Sequence, residues 1–386
     1  MGFLFYFSQW LVINQGRPAW WYNITLVVSS ALFILSAPII SKKIDATQRK
    51  IGGLRLWSFL TFICYLMVAL IAMLTENMDL LATIFYTLAN YAYLVCFLYF
   101  TPMLNDLSSE NNRSWVSGVG QSANSIGQVA GVLAVLPFVN SITLFGEPGR
   151  AQALLPATIL FGLFALPMLI YYKENLNVSL DNGTAVAKSN LISLFKEVFS
   201  HKALALVLLG YFLASDALLT FANNFPLYLE VVHNASDTIK SILTAGILIL
   251  AAVGAAIFGK IADKKGNLRV FKILLIIWCF IIATMALVTN FAVLVPIFLF
   301  AGLLFGPIWG ISRALVGEFS PPKLVASSYS YYVVAERFAT FIGPAVWSMA
   351  LIYFGEGVRG YQAGFLSLGI LLIVSFLVLN RIKIPA

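Results

Sequence analysis

Eleven stretches of this 386-residue chain are apolar for about the 20 residues that a helix needs to cross a hydrocarbon layer. They fall near Trp20–Ile40, Leu56–Leu74, Leu80–Leu104, Trp115–Val139, Ala151–Tyr172, Ala203–Leu229, Thr238–Ile261, Val270–Thr289, Phe291–Val316, Val325–Phe354 and Gly360–Leu379. In lipid a backbone N–H or C=O finds no partner outside its own segment, so each run is expected to be a helix. Charged residues make up 10% of the chain, against about 25% in soluble proteins, which excludes a water-soluble multidomain enzyme. Cys64, Cys96 and Cys279 lie inside apolar runs without CxxC spacing and read as small buried hydrophobes. The expected fold class is therefore an all-α integral membrane protein.

The opening stretch Phe3–Asn14 is apolar but spans only about half the required length. It has neither the basic start nor the small-residue cleavage site of a signal peptide. The expectation is a first helix that lacks its beginning.

Basic residues orient the spans. One side of the alternating loops holds Lys42, Lys43, Arg49, Lys50, Arg55, Arg113, Lys173, Lys188, Lys196 and Lys202. The same side holds Lys260, Lys264, Lys265, Arg269, Lys272, Lys323, Arg381 and Lys383, which makes 18 of the 24 basic residues. The other side holds Arg17, Arg150, Lys240 and Arg359, while Arg313 and Arg337 fall within spans. By the positive-inside rule the first side, with the C-terminus, is cytoplasmic. The net charge of +8 is thus an account of loops, and nucleic acid is not an expected partner.

The longest connection, 173–202, divides the chain into an N-terminal bundle over 1–172 and a C-terminal six-helix bundle over 203–386. Asn175–Lys188 is a polar linker. Asn190–His201 places Leu191, Leu194, Phe195, Val198 and Phe199 on one helical face, which suits a short helix in the membrane interface or an ordinary linker helix. The halves look like repeats. Gly259-Lys260-Ile261-Ala262-Asp263-Lys264-Lys265-Gly266 follows the second span of the C-terminal half, and Ser41-Lys42-Lys43-Ile44-Asp45 is its looser counterpart. Asp45 and Asp263 are 218 positions apart and the fourth spans about 211, so the register persists with small insertions. Projected back by this offset, the first helix starts about ten residues before Met1.

Two six-helix halves, a long connecting loop and G-x-x-x-D-[KR]-x-G after the second helix of a half resemble the major facilitator superfamily. The segments Pro102-Met103-Leu104-Asn105-Asp106-Leu107, Arg113-Ser114-Trp115-Val116-Ser117-Gly118-Val119-Gly120, Ser312-Arg313-Ala314-Leu315 and Gly343-Pro344 are similar to its vacuole-effluxer-like branch. That branch includes bacterial permeases and the fungal vacuolar amino-acid effluxer. The resemblance implies a latch on the cytoplasmic gate built from Gly259, Asp263, Lys264, Gly266 and Arg269, with Asp45 as its weaker copy and Arg313 near the same end. Gly259 would permit close helix approach, and Asp263 could sit at the end of a neighbouring helix and pair with its exposed amides or with an arginine. The branch's acidic, aromatic and amide cluster on the first helix has no counterpart here.

Polar groups inside spans are costly unless they face the bundle interior or a cavity. Asp216 shares a helical face with Thr220, Asn223 and Asn224, and the resemblance places an acidic residue there. It is either a proton-titrating or substrate-binding stripe, or a carboxylate locked in a helix-positioning network. Glu336 and Arg337 project about 100° apart and are not expected to pair with each other. Each is open to a substrate contact or to an ion pair with a neighbouring helix. Gln121, Asn124 and Gln128 continue a polar face from Ser117, able to bind a polar solute or to glue helices together. Tyr86, Asn90 and Tyr93 make a smaller patch. Gly302, Gly306 and Gly310 form a small-residue seam beside Pro307, for tight packing or for bending, and Gly127 and Gly131 repeat the spacing.

The sum is a secondary active transporter of a small polar solute that works by rocker-switch alternating access. Amino acids or short peptides are favoured by resemblance, and Asp216 is the candidate for proton coupling. No ATP-binding loop, metal cluster or cofactor motif is present, and the expected partners are the solute, the bilayer and protons. The chain is expected to act as a monomer in a bacterial inner membrane. The alternatives are a transport-inactive receptor or scaffold on the same fold and a membrane-embedded transferase.

Overall fold

The computed structural model of the chain describes residues 2–17, 19–75, 78–147, 149–174, 191–235, 237–338, 342–355 and 357–382. The linker 175–188 lies outside the described residues. Among those described, eleven helical stretches are long and apolar enough to cross a membrane, in line with the apolar runs. The helices are α1 (Gly2–Gln9, continued by a π-helical turn Trp10–Asn14), α2 (Ala19–Thr47), α3 (Ile51–Leu74), α4 (Asp79–Phe100), α5 (Met103–Leu107) and α6 (Arg113–Asn140). There follow α7 (Leu154–Tyr171), α8 (Leu191–Ser200), α9 (Lys202–His233), α10 (Asp237–Lys265) and α11 (Asn267–Leu287). The last are α12 (Phe291–Phe319), α13 (Val325–Phe338), α14 (Ile342–Phe354) and α15 (Val358–Asn380).

Helices outlast the apolar runs that announce them. Ser41–Asp45 and Gly259–Lys265 are the closing turns of α2 and α10, where the sequence pattern alone placed them beyond the spans. Polar side chains can reach water while the backbone keeps its own hydrogen bonds, so polarity ends the membrane core before it ends the helix. What stops each helix is a residue of positive φ, Gln48 at 55° and Gly266 at 90°, the conformation in which helices commonly end.

One compact unit comprises 1–103 and 127–191. Its core takes in the short α1: Phe3, Phe7, Trp10 and Leu11 are buried with Tyr65 of α3 and Tyr86 of α4. The Phe7 ring stacks on Tyr86 with centroids 3.9 Å apart. At one end of this unit Arg17 grips the buried Asp79 with two guanidinium nitrogens and lies 5.0 Å from the Trp21 ring centroid. At the other end Glu174 accepts from the backbone N–H groups of Lys50 and Ile51. A carboxylate from beyond α7 thereby caps α3, whose own N-cap residue, Lys50, makes no side-chain cap.

The second unit comprises 104–126 and 192–386, so the first half of α6 packs with the C-terminal helices. Val198 of α8 is fully buried, and the Phe199 ring meets Tyr331 edge-on at 5.4 Å. The side chains of Leu191, Leu194 and Phe195 are outside the description. Between α10 and α12 the expected glycine seam is a backbone contact. A Cβ on Gly302 would lie 2.9 Å from Ile247 Cα, and one on Gly254 or Gly306 would overlap the carbonyl oxygen of Leu303 or Ala251. Gly310 continues it against Gly118, 3.3 Å from that residue's Cα. Among the described residues nothing lies within 4 Å of a Cβ added at Gly127 or Gly131. Spacing sets the face of a helix, and a neighbour must still supply a backbone to fit it.

Gly306→Ala forces these backbones apart and is expected to cost about 1–3 kcal/mol, lowering the melting temperature of the purified protein by several degrees. Gly369→Ala is the control, since its Cβ would meet only Ile282 Cγ2 at an ordinary 3.5 Å. It should leave the melting temperature unchanged or slightly raised.

Candidate functional site

The first N–H groups of α6 have no partner within the helix and need one from elsewhere. Asp263, in the last turn of α10, supplies it: Oδ1 accepts from the Ser114 N–H at 2.8 Å and Oδ2 from the Trp115 N–H at 2.7 Å. The carboxylate also sits at the positive end of the helix dipole. Glycine on both helices makes the approach possible. A Cβ on Gly259 would stand 2.5 Å from the Ser114 oxygen and 3.3 Å from Trp115 Cα, and one on Gly118 would overlap the Ala255 oxygen.

A polar chain extends this cap. The fully buried Ser114 hydroxyl donates to Asn267 Oδ1 at 2.5 Å, and Asn267 Nδ2 donates to Glu318 Oε2 at 2.8 Å. Together they join the starts of α6 and α11 to the end of α12. A crevice of about 260 Å³ lies over the junction, lined by Glu110, Arg113, Asp263, Gly266, Asn267 and Glu318 among others. Lys260 Nζ stands 5.9 Å from the Trp115 ring centroid, while Lys264 and Arg269 are exposed. Gly266 makes the whole connection from α10 to α11. Nearby, the Tyr329 hydroxyl reaches both Asn105 Oδ1 and the Arg313 carbonyl at 3.1 Å, so Asn105 is tied to α12 and α13. Arg313 is half-buried, and its Nε has no hydrogen-bond partner among the described residues. Asp45, the counterpart of Asp263, is buried at the end of α2, and its carbonyl accepts from Gln48 Nε2 at 2.7 Å.

Asp216 lies in α9 and is fully buried. Its Oδ2 accepts from the Gly343 N–H at 2.6 Å, at the start of α14. The tenth apolar run contributes α13 and α14, with 339–341 between them outside the described residues, and Asp216 is bonded to the second. Gly343 has no Cβ because there is no room: one would overlap Thr220 Oγ1 and lie 3.0 Å from Asp216 Oδ1. Asp216 Oδ1 and Thr220 Oγ1 are both buried without a hydrogen-bond partner among the described residues. Asn224 Nδ2 turns back to the Thr220 carbonyl at 2.9 Å, and Asn223 is exposed. The four-residue stripe therefore divides into a buried pair, a side chain bonded to its own helix and one open amide.

Glu336 and Arg337 do pair, contrary to the expectation from their directions on the helix. Arg337 reaches Glu336 Oε1 at 2.7 Å. Four rotatable bonds let the guanidinium fold back across the 100° between neighbours. Glu336 is also bound across helices, because Tyr211 of α9 donates to Oε2 at 3.0 Å. Tyr211 stacks on Tyr332 with centroids 4.2 Å apart, and Tyr332 reaches Ser312 at 3.2 Å. On α6, Gln121 and Gln128 are half-buried and Asn124 is exposed. Ser117 is buried, with its hydroxyl unpartnered among the described residues. Asn90 is buried and accepts from the Tyr65 hydroxyl at 3.3 Å.

Sequence reasoning missed Asn267, Glu318, Asn105 and Glu174. The first two are single polar residues at span ends, where such residues are ordinary. Asn105 stood inside a quoted motif without an assigned partner. Glu174 had one signal, a carboxylate at the basic end of a span. Among the described residues no group of three His, Cys, Asp or Glu could hold a metal ion.

A profile of the Major Facilitator Superfamily matches residues 22–344, with a second match over 207–385. The chain is 21% identical over 349 residues to the Uncharacterized MFS-type transporter YxiO of Bacillus subtilis strain 168, covering 86% of this chain and 78% of that protein. It is 25% identical over 203 residues to Autophagy-related protein 22-2 of Emericella nidulans, covering 49% of this chain and 34% of that protein. Its fold is similar to that of the E. coli Fucose:proton symporter FucP, with a TM-score of 0.70 at 13% identity over 98% of this chain and 96% of the other. At that identity the likeness concerns the fold alone.

Asp263→Ala removes two caps from α6. Loss of a helix cap costs about 1 kcal/mol, so amide exchange at residues 114–116 should quicken by roughly fivefold in a hydrogen–deuterium experiment. His233, at the end of α9, supplies a pH test. Burial lowers its pKa, and its Nε2 is 2.9 Å from the Tyr228 hydroxyl. Its folded pKa thus lies below the unfolded value, so its stabilisation is complete above about pH 6.5 and is lost as pH falls through the lowered pKa. Thermal melts between pH 8 and pH 5 should show the advantage of wild type over His233→Phe shrinking on the acid side.

Proposed function

This chain belongs to the Major Facilitator Superfamily, and from that premise we propose that it moves a small polar solute by alternating access, with Asp216 carrying a coupled proton. The observation that carries the reading is the state of Asp216: a fully buried carboxylate in a membrane-spanning helix with one oxygen bound and the other unpartnered among the described residues. A proton can arrive on Oδ1 without displacing the Gly343 N–H from Oδ2. The neutral acid is a weaker acceptor than the carboxylate, so protonation loosens the hold of α9 on α14. Proton occupancy and the position of α14 are thereby linked through one hydrogen bond. Asn223, Asn224, Gln121, Asn124 and Gln128 offer amides that suit a solute rich in hydrogen-bonding groups, and Asn90, Glu336 and Arg337 are further candidates along the path.

The cap on α6 supplies the gate. Gly259, Asp263 and Gly266, with Asn267 and Glu318, hold the start of α6 against α10, α11 and α12. Alternating access requires this holding to be made and broken. Lys264 and Arg269 keep the junction on the cytoplasmic side, as the distribution of basic residues implies. The vacuole-effluxer-like motifs and the match to Autophagy-related protein 22-2 favour an amino acid or short peptide as solute. The bacterial relative favours a bacterial inner membrane, with the chain acting as a monomer.

Proteoliposomes given an inward acid gradient and a panel of radiolabelled amino acids and dipeptides test the reading. Wild type should accumulate at least one of them. Asp216→Asn should retain exchange of that solute between its two sides but lose gradient-driven accumulation by about tenfold or more. Equal accumulation by the variant overturns the proton role of Asp216. Absence of flux across the panel in wild type overturns the solute class and leaves the receptor or scaffold reading in its place.

A further inference from the structure

A second cavity lies in the first unit, apart from the Asp216 and Asp263 elements. It has a volume of about 240 Å³, opens to the surface, and is lined by Leu54 and Ser58 of α3, Cys96 and Phe100 of α4, and Ala165 and Leu169 of α7, among others. Protein cavities of about 150 Å³ with such linings stay dry and take up benzene, so water is a poor occupant. Its lining includes exposed apolar side chains, Phe100 on α4 and Phe164 on α7. That is the surface of a helix pair that meets lipid tails.

The polar end of this cavity is basic. Arg55 follows Leu54 directly, is exposed, and donates one N–H to the Leu169 carbonyl at 2.8 Å. That bond uses one of the five donors of a guanidinium. Arg49 and Lys173 are exposed as well. They are brought to the same end because Glu174 bonds to the N–H groups of Lys50 and Ile51, which sets the chain around 173 beside the chain around 49. Arg49, Arg55 and Lys173 thus form a collar where α3 begins and α7 ends.

We propose that this cavity holds an acyl chain of an anionic phospholipid whose headgroup binds the collar of Arg49, Arg55 and Lys173. An apolar slot opening toward the bilayer, with cationic groups at its water-facing end, matches the two chemistries of such a lipid and their order along the membrane normal. A neutral lipid would fill the slot but leave the collar without a counter-charge. A soluble anion would satisfy the collar and leave the slot empty. Ser58 and Cys96, 3.6 Å apart, place a thiol on the cavity wall as a reporter.

Native mass spectrometry of the full chain, presented with equal amounts of phosphatidylglycerol and phosphatidylcholine, tests the proposal. Wild type should retain phosphatidylglycerol over phosphatidylcholine by about fivefold for each basic residue engaged. Arg55→Gln should lower that preference by about fivefold, and Ala165→Phe, which fills the slot, should remove the retained lipid. A second readout does not depend on the filled variant folding. In a Cys64→Ser, Cys279→Ser background, maleimide should label Cys96 more slowly in phosphatidylglycerol nanodiscs than in phosphatidylcholine ones. Equal retention of the two lipids by wild type, undiminished retention by Ala165→Phe, or equal labelling of Cys96 overturns the proposal.

Discussion

Where α10 meets α12, carbonyl oxygens of one helix occupy the space that side chains of the other would need. This contact of backbone on backbone is the constraint from which the rest of the second unit follows. Lipid tails are as apolar as leucine, so helices in a membrane gain little by hiding apolar side chains from solvent and must gain from close packing. Glycine permits the closest packing, and Gly302 and Gly306 on α12 with Gly254 on α10 supply it, while Gly310 and Gly259 bring the same two helices against α6. With those backbones in contact, the end of α10 is carried to the start of α6, and a short aspartate side chain can reach two amides. A longer separation would have required a longer acid or an intervening water.

Two aspartates do the same physical work in different surroundings. Each accepts from backbone N–H groups of another helix, Asp263 from two at the start of α6 and Asp216 from Gly343 of α14. Asp263 does so beside an open polar crevice and satisfies both of its oxygens. Asp216 does so in full burial and, among the described residues, satisfies one. The difference separates a structural fastening from a group with unused capacity. Glycine sets the geometry in both places, at Gly259 in one and Gly343 in the other, because a Cβ at either position would occupy the space the contact needs.

Much of the fold was legible because the bilayer demands long apolar runs, and a run of twenty admits few readings. The helix ends were not legible from polarity, since α2 and α10 continue past the point where their residues become hydrophilic. Asp263 was legible because its motif couples a glycine for approach to an acid for capping. Glu174 and Asp79 were not, because an acid at a span end is common and only the fold tells which partner it meets. Glu336 and Arg337 show a limit of direction-based reasoning: helix geometry fixes Cβ vectors, while the tip of an arginine lies several bonds beyond.

The Asp263 cap also has a consequence in time. Ser114 and its acceptor are 149 positions apart in the chain. Ribosomes add about 5–20 residues each second, so the start of α6 waits on the order of ten seconds for the carboxylate that completes it. During that interval its amides depend on water and lipid headgroups at the membrane surface. Arg17 and Asp79 are separated by only 62 positions in the same order, donor first and acid later, so there the wait is less than half as long. The first unit can settle its buried charge as it is synthesised, while the second must hold a helix end open until a later helix arrives.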